Sequence, residues 1–254
     1  PPRRRRGHVG RRWRPWLAAA AALVLTAGLG TQWLRDWRHD QTTATGEQRT
    51  IALRDGSTLW LNTASAVDLT MDGARRQVRL VRGEAYFDVA RDPAHPFVVD
   101  AGTGWITVLG TAFGVRRDGG DVVVTVQRGR VQVAGGGSPS VVLMPGQTVR
   151  VHAGDPRKQV ASVDAEQALS WRSGRLLFEN RPIGEVLDEL RRYDRRVLLI
   201  GDPAVRRLRV TSIVDLARID EWYDTLAQSL PVDVTRIGPF IWIRSSPASA
   251  AANG

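Results

Sequence analysis

Few side chains in the sequence have the types and spacing that catalysis or metal binding requires. The chain has no cysteine, which excludes thiolate metal sites, a cysteine nucleophile and a disulfide framework. Its histidines are scattered rather than paired at ligand spacing, so we expect no metal site. They are His8, His39, His95 and His152. The sequence contains no GxSxG motif and no glycine loop ending in lysine, so we also expect no cofactor.

Two further groups could do chemistry. Glu84 and Asp92 could act as general acid and base, but solvated turn charges are the default interpretation of such a pair. In the dipeptide Gly110-Thr111, the threonine hydroxyl could attack the preceding carbonyl in an N–O acyl shift, and hydrolysis of the ester would cut the chain. From the residues alone we favour a turn or bulge there. We therefore expect no enzyme, with self-cleavage at Gly110 and Thr111 as the one candidate reaction.

The charge of the chain is concentrated at its N-terminus. Residues 1–14 contain seven arginines and no acid, and the rest of the chain accounts for only +3 of the net charge of +10. A DNA-binding domain would normally carry its basic patch in the folded part, so this distribution argues against one. We interpret residues 1–14 as a basic cytoplasmic flank that binds anionic lipid, with a nucleic-acid arm as the alternative.

Residues 15–34 form a run of 20 residues without charge, long enough for a transmembrane helix of about 30 Å. Tryptophans border it, as in membrane interfaces, and the arginines indicate a cytoplasmic N-terminus. These tryptophans are Trp13, Trp16, Trp33 and Trp37. A cleaved signal peptide, whose apolar run is usually about 7–15 residues, and a buried soluble helix are the alternatives. Because the chain begins at Pro1, we expect it to be the remainder of a longer protein.

Residues 47–152 alternate between apolar and polar side chains, with glycine-containing turns about every 8–12 residues. This pattern predicts an all-β sandwich, barrel or solenoid, and our fold assignment is a short-strand solenoid or sandwich. It excludes an α/β enzyme core in this region. Residues 35–46 and 153–170 are predicted linkers on either side.

Residues 171–245 predict a small α+β module. Two amphipathic helices, beginning at Ile183 and Ile219, share a pattern displaced by 36 residues. We interpret this repeat as a duplicated βαβ unit, with coincidence between two generic helices as the alternative. We expect strands at residues 176–178, 197–200, 208–212, 232–235 and 240–243. Residues 246–254 are small and polar and are predicted to be a disordered tail.

Several segments in this order resemble the FecR family of ferric-citrate-type transmembrane regulators, over about residues 45–151. They are Asp55–Asn62, Gly83–Ala90, Pro96–Val99, Val108–Phe113 and Pro145–Gln147. Residues 171–193 resemble the C-terminal portion of the family. The duplicated unit is similar to the short N-terminal module shared by secretins and TonB-dependent transporters.

The resemblance implies a bacterial inner-membrane protein with one span, a cytoplasmic N-terminus and periplasmic C-terminal domains. The implied partners are the signalling domain of a TonB-dependent outer-membrane transporter, of the iron or siderophore type, and an extracytoplasmic-function sigma factor. Members of the family bind their sigma factor through a cytoplasmic N-terminal domain. Only 14 residues precede the predicted helix here, so the resemblance assigns anti-sigma activity to the parent protein and no sigma-binding residue is named.

Some members of the family are cleaved at a Gly-Thr bond, and the resemblance carries this reaction to Gly110-Thr111. The function that we expect is therefore a signal-transducing regulator, which receives its partner by means such as strand addition at a sheet edge. A structural component of envelope assembly or secretion is the alternative, since the C-terminal module also occurs in secretins. An enzyme that acts on envelope polymers is a third hypothesis, but no acid/base or metal constellation supports it.

Overall fold

The structure, a computed structural model, describes residues 39–73, 75–155 and 158–246. The predicted basic flank and transmembrane helix, and the predicted tail from residue 247 onwards, lie outside these ranges. Within them, no helix combines the length and the apolar character needed to span a bilayer.

Fourteen strands of the described residues form two sheets of seven strands each. The strands of the first sheet are β1 (Gln41–Thr42), β4 (Ala66–Met71), β5 (Arg76–Arg82), β7 (Phe97–Asp100), β8 (Gly104–Val108), β11 (Val131–Gly135) and β12 (Ser138–Leu143). Those of the second are β2 (Arg49–Ala52), β3 (Thr58–Leu61), β6 (Glu84–Asp88), β9 (Ala112–Asp118), β10 (Asp121–Arg128), β13 (Gln147–Val151) and β14 (Gln159–Ser162).

Neighbouring strands follow the order β1-β4-β5-β7-β8-β11-β12 in the first sheet and β14-β13-β10-β9-β6-β3-β2 in the second. Every pairing is antiparallel except that of β5 with β7. One core joins the two inner faces, because alternate residues of strands from both sheets are buried in the same cluster. Phe87 of the second sheet stacks on Phe113 at 5.2 Å and meets the edge of Phe97, from the first sheet, at 5.9 Å. The domain is therefore a sandwich rather than a solenoid.

Gly83 lies where the chain leaves the first sheet for the second, between β5 and β6. Its φ angle is +81°, and a Cβ atom there would lie 2.1 Å from the hydroxyl oxygen of Ser65. Only glycine fits this crossing, both because of the left-handed backbone and because of the close approach.

Both predicted linkers contain elements of the fold, which corrects the sequence prediction. The stretch 35–46 includes β1, which pairs with β4, and Thr43 is buried. The stretch 153–170 includes β14, which pairs with β13 at the edge of the second sheet, and helix α1 (Ala165–Ala168). The side chain of Asp164 caps α1 by accepting hydrogen bonds from two backbone N–H groups. All four residues of β14 are exposed, so no apolar alternation signals this strand.

The C-terminal module follows a 3₁₀ turn at Ser170–Ser173. Its strands are β15 (Arg175–Pro182), β16 (Val197–Ile200), β17 (Arg209–Asp215), β18 (Val232–Ile237) and β19 (Phe240–Ser245). Its helices are α2 (Ile183–Leu190), α3 (Pro203–Arg207) and α4 (Ile219–Ser229), with a 3₁₀ turn at Leu216–Arg218 before α4. The short helix α3 was not predicted from the sequence, although Asp202 caps it and Pro203 begins it.

The order strand–helix–strand occurs twice in the module, as β15-α2-β16 and β17-α4-β18, at close to the 36-residue spacing of the sequence pattern. The two strands of each unit nevertheless lie in different sheets. β15 pairs with β17, whereas β16 and β18 flank β19 on opposite sides. Each unit therefore contributes one strand to each of the two sheets. Neither unit forms a βαβ crossover of its own, in which its two strands would lie parallel in one sheet.

The module packs on the outer face of the second sheet of the sandwich. Tyr86 and Ala112 from that face share a buried cluster with Trp171 and with both long helices of the module. Gly114 of β9 makes room for this contact, because a Cβ atom there would lie 2.4 Å from a methyl carbon of Leu169.

Candidate functional site

The candidate cleavage dipeptide, Gly110-Thr111, lies in the bend between β8 and β9, where the chain crosses from the first sheet to the second. Gly110 has a φ angle of +148°, and a Cβ atom on it would lie 2.8 Å from the Cα atom of Arg91. The bend is held from one side by the backbone N–H groups of Val89 and Asp92. They donate to the carbonyl oxygens of Thr111, at 2.9 Å, and of Leu109, at 3.0 Å.

Thr111 is 3% exposed, and among the described residues its hydroxyl has no hydrogen-bond partner. A buried hydroxyl without a partner carries a desolvation cost that the fold does not offset. Gly129 faces the side chain, since a Cβ atom on it would lie 2.6 Å from the methyl carbon of Thr111. The sequence prediction of a turn between strands thus agrees with the observed bend, and the threonine oxygen is free of competing contacts.

The other residues considered for catalysis or metal binding do not lie together in the structure. Asp92 lies in a loop, where the hydrogen bond from His95 lowers the pKa of its carboxyl group. His152 bonds to Asp121. Across the part of the chain that the structure describes, no group of three or more histidine or acidic side chains could hold a metal ion. Glu84, the proposed partner of Asp92 in acid/base chemistry, belongs to a different network.

That network connects the sandwich to the C-terminal module by alternating charges. A guanidinium nitrogen of Arg192 lies 2.6 Å from a carboxylate oxygen of Glu84, and another donates to Glu189. Glu189 also binds Arg116 at 2.9 Å. Glu84 and Arg116 lie on β6 and β9, whereas Glu189 lies on α2 and Arg192 follows it. We call Asn62, Glu84, Arg116, Glu189, Arg192 and Tyr193 the junction.

Asn62 directly follows β3, is fully buried, and joins the two parts through its amide group. Its nitrogen donates to Glu84 at 2.9 Å and to the hydroxyl oxygen of Tyr193 at 2.8 Å. Its oxygen accepts from the side chain of Gln48 and from the backbone N–H of Thr63. All hydrogen-bonding capacity of this buried amide is therefore used, with partners from both parts of the chain.

Burial and charge oppose each other within the junction. Burial disfavours the ionised form of Glu189, but Arg192 and Arg116 outweigh it and hold the pKa of its carboxyl group below the usual value. Burial also disfavours the charge on Arg192, and the carboxylates of Glu84 and Glu189 reverse this effect and raise its pKa. The pKa of Tyr193 is raised, chiefly by burial and then by the charge of Glu84. Glu189, Arg192 and Tyr193 are thus held in fixed protonation states, which suits a structural connection rather than acid/base catalysis.

A second polar contact lies on the same outer face of the sandwich. The guanidinium group of Arg172 stacks over the ring of Tyr86 at 3.7 Å and donates to Gln127 at 3.0 Å. The hydroxyl of Tyr86 donates to the same oxygen of Gln127 at 2.6 Å. The contact adds a cation–π interaction to the ion pairs of the junction.

A cavity of about 280 Å³ lies beside the junction. Glu84, Arg116 and Glu189 line it on one side, and Leu169 and Trp171 contribute apolar walls. The indole N–H of Trp171 is buried and has no hydrogen-bond partner among the described residues. Packing between the sandwich and the module is therefore incomplete, so the ion pairs contribute a larger share of the stability of this interface.

Sequence reasoning did not identify the junction. Glu189 and Arg192 look like ordinary charges at the end of an amphipathic helix, and the pattern around Glu84 indicates a solvated turn charge or, less favoured, a catalytic acid. The only indication of the junction in the sequence is Asn62. It is a polar residue directly after an apolar strand, at the end of the segment Asp55–Asn62 that resembles the FecR family. Nothing in the sequence pairs Arg192 with Glu84, since 108 positions separate them.

Comparisons with known proteins agree with this architecture. Residues 39–132 match the sequence model of the family described as FecR protein. A crystal structure from Parabacteroides distasonis ATCC 8503, described as a "putative anti-sigma factor", superposes with a TM-score of 0.68 at 22% sequence identity. A second crystal structure with the same description gives 0.67 at 23%. Each similarity covers 81% of this chain and 98% of the other, and it establishes a shared fold. A search of curated proteins gives no match.

The junction predicts a large difference between two arginines that each bind two acids. Replacing Arg192, whose side chain is 18% exposed, by methionine leaves the buried Glu84 without its cation and leaves Glu189 with Arg116 alone, so we expect a loss of about 3–5 kcal/mol in the free energy of unfolding. Arg218→Met is the matched control, because Arg218 binds Asp215 and Glu221 at the surface, and its loss should change stability little. Urea denaturation measures both, and equal losses would contradict the assignment.

Proposed function

We propose that this chain, which carries a FecR domain over residues 39–132, is the signal-receiving part of a regulator of an extracytoplasmic-function sigma factor. The observation that carries the proposal is the match to the family, and the similarity of fold to a protein described as an anti-sigma factor supports it. The signal comes from the N-terminal signalling domain of a TonB-dependent outer-membrane transporter of the iron or siderophore type. The sigma factor binds an N-terminal cytoplasmic domain of the parent protein.

The geometry supports transmission of a binding event rather than turnover of a substrate. The acidic side chains of the junction are paired with arginines, and the predicted acid pair Glu84 and Asp92 is not brought together. A partner that binds the C-terminal module would act on α2, and α2 is tied to β6 and β9 through Glu189 and Arg192. Binding energy on the module can therefore bias the conformation of the sandwich, provided that the partner prefers one conformation.

The proposed location is the bacterial inner membrane, with a single span at residues 15–34, a cytoplasmic N-terminus and periplasmic folded domains. The support for this part of the proposal is in the sequence. It consists of an uncharged run of membrane-spanning length, bordering tryptophans and an arginine-rich N-terminal side.

Deletion of the gene should separate this function from the structural alternative in envelope assembly or secretion. For a sigma-factor regulator, RNA sequencing of the deletion strain should show changed expression of a set of genes that share one promoter sequence. Restoring the gene should reverse the change. An envelope that becomes permeable to detergent, with no such set of genes affected, would favour the structural alternative and contradict the proposal.

We also propose that the parent protein cleaves itself between Gly110 and Thr111. The hydroxyl oxygen of Thr111 attacks the carbonyl carbon of Gly110, the C–N bond breaks, and the nitrogen takes a proton to become the free amine of Thr111. Water then hydrolyses the ester, which leaves a carboxylate on Gly110 and restores the hydroxyl. The unpartnered hydroxyl and the glycine-specific backbone of the bend support this proposal.

Substitution of Thr111 tests the cleavage. Thr111→Ala removes the nucleophile, so the protein should run as one full-length species on a denaturing gel. Thr111→Ser keeps a hydroxyl at the same position and should still give two fragments, with a new N-terminus at residue 111 by mass spectrometry. Fragments of equal yield from the alanine variant would show that the hydroxyl plays no part.

A further inference from the structure

One face of the sheet formed by β16, β19 and β18 is apolar and uncovered by any described residue. Its side chains lie in register, with Val197 beside Phe240 and Leu199 beside Trp242, and Ile237 on the far side of Phe240. Each is between 43% and 60% exposed. The opposite face of the sheet, with Leu198, Ile241 and Ile243, is buried against the helices of the module. We call Val197, Leu199, Ile237, Phe240 and Trp242 the apolar face.

Trp242 has the features of an anchor for a partner. Gly201, just beyond β16, lies under its ring, since a Cβ atom on Gly201 would be 2.6 Å from the indole nitrogen. The ring therefore rests against backbone and loses little freedom when a partner covers it. Within the described part of the chain, the indole N–H has no hydrogen-bond partner, so it is available to a carbonyl group of another molecule.

The size of the apolar face indicates a transient partner rather than a permanent dimer. Five side chains exposed to this degree offer about 500 Å² of apolar surface, near the upper end for a single patch on a monomer. A second copy would bury about 1,000 Å² in total, less than the roughly 1,200–2,000 Å² of stable interfaces. The area suits a signalling contact that forms and dissociates.

The charges at the border of the apolar face argue against an anionic membrane as its occupant. Arg244, the next outward residue of β19, is 3.7 Å from Asp233 on β18. Arg195, before β16, donates to the backbone carbonyl of Thr45. A membrane-binding face would instead present free cations around its apolar centre. Both arginines are engaged by groups of this chain, which fits an uncharged apolar surface of a folded protein.

One edge of this sheet, that of β16, is engaged where an added strand would have to pair. Arg191 donates to the carbonyl oxygen of Leu198 at 2.8 Å, on the side of β16 that faces away from β19. A partner strand would have to displace this bond. At this edge the free surface is therefore the face of the sheet, in contrast to the strand addition considered from the sequence.

We infer that the apolar face is the docking surface for the signalling domain of the outer-membrane transporter. This inference rests on the proposed function and goes beyond it by naming the residues that bind and the chemistry of the contact. The partner presents an apolar surface with little charge, packs it over Phe240 and Trp242, and accepts a hydrogen bond from the indole of Trp242.

The test uses the N-terminal signalling domains of the TonB-dependent transporters encoded in the same genome, each purified as a soluble domain. Their affinity for the full chain and its variants is measured by isothermal titration calorimetry. Trp242→Arg and Leu199→Arg should each raise the Kd at least tenfold. Trp105→Arg is the matched control, because Trp105 is a tryptophan of β8 with nearly the same exposure, and it should change the Kd less than twofold.

The outcomes separate this inference from the proposed function. Binding of one domain that Trp242→Arg and Leu199→Arg weaken, with unchanged thermal unfolding, supports both. Binding that neither substitution weakens overturns the docking surface alone. No binding by any of the domains overturns the proposed partner and the inference with it. Loss in Trp242→Arg of self-association in sedimentation, or of binding to phospholipid vesicles, would assign the apolar face to a second copy or to the membrane and would also overturn it.

Discussion

The connection between the two parts of the chain depends on a largely buried arginine, Arg192, that binds two carboxylates at once. Arg192 comes from the C-terminal module, Glu84 from the sandwich, and Glu189 connects the pair onward to Arg116. Each charge is tolerated at low exposure only because an opposite charge lies beside it. Separating the module from the sandwich would break the Arg192–Glu84 and Arg116–Glu189 pairs, so the two parts of the chain are held in one arrangement.

Because the ion pairs hold the module on the sandwich, a conformational change in the module can be transmitted to the sandwich. The apolar face is on one side of the module, and the helices that contact the junction pack on the opposite side of the same sheet. Beyond the junction are β6 and β9, which directly follow the crossings between sheets at Gly83 and at Gly110. A partner on the apolar face, the junction and the Gly110-Thr111 bend are thus connected through a short succession of packed elements, which is the physical basis of the proposed regulator.

Local pattern was sufficient to predict the elements whose side chains alternate or repeat. Most of the sandwich strands and the helices α2 and α4 follow from that pattern. The two-residue strand β1 and the fully exposed strand β14 carry no periodic signal. Pairing between distant segments could not be predicted from local pattern. β15 pairs with β17 rather than with β16, the next strand in the chain, and Arg192 forms an ion pair with Glu84, 108 positions away. The Gly110-Thr111 bend could be identified because its two residues are adjacent in the sequence. The junction could not, because its residues come from segments that are far apart in the sequence.

Hydrogen exchange followed by mass spectrometry tests most directly whether the ion pairs couple the two parts. In Glu84→Ala, a substitution confined to the sandwich, amide exchange should accelerate in β6 and, to a similar degree, in residues 183–193 of the module. In the control Glu185→Ala, which removes an exposed acid of α2 paired only with Arg181, exchange in β6 should stay unchanged. Faster exchange in β6 alone, with residues 183–193 as protected as before, would contradict the account.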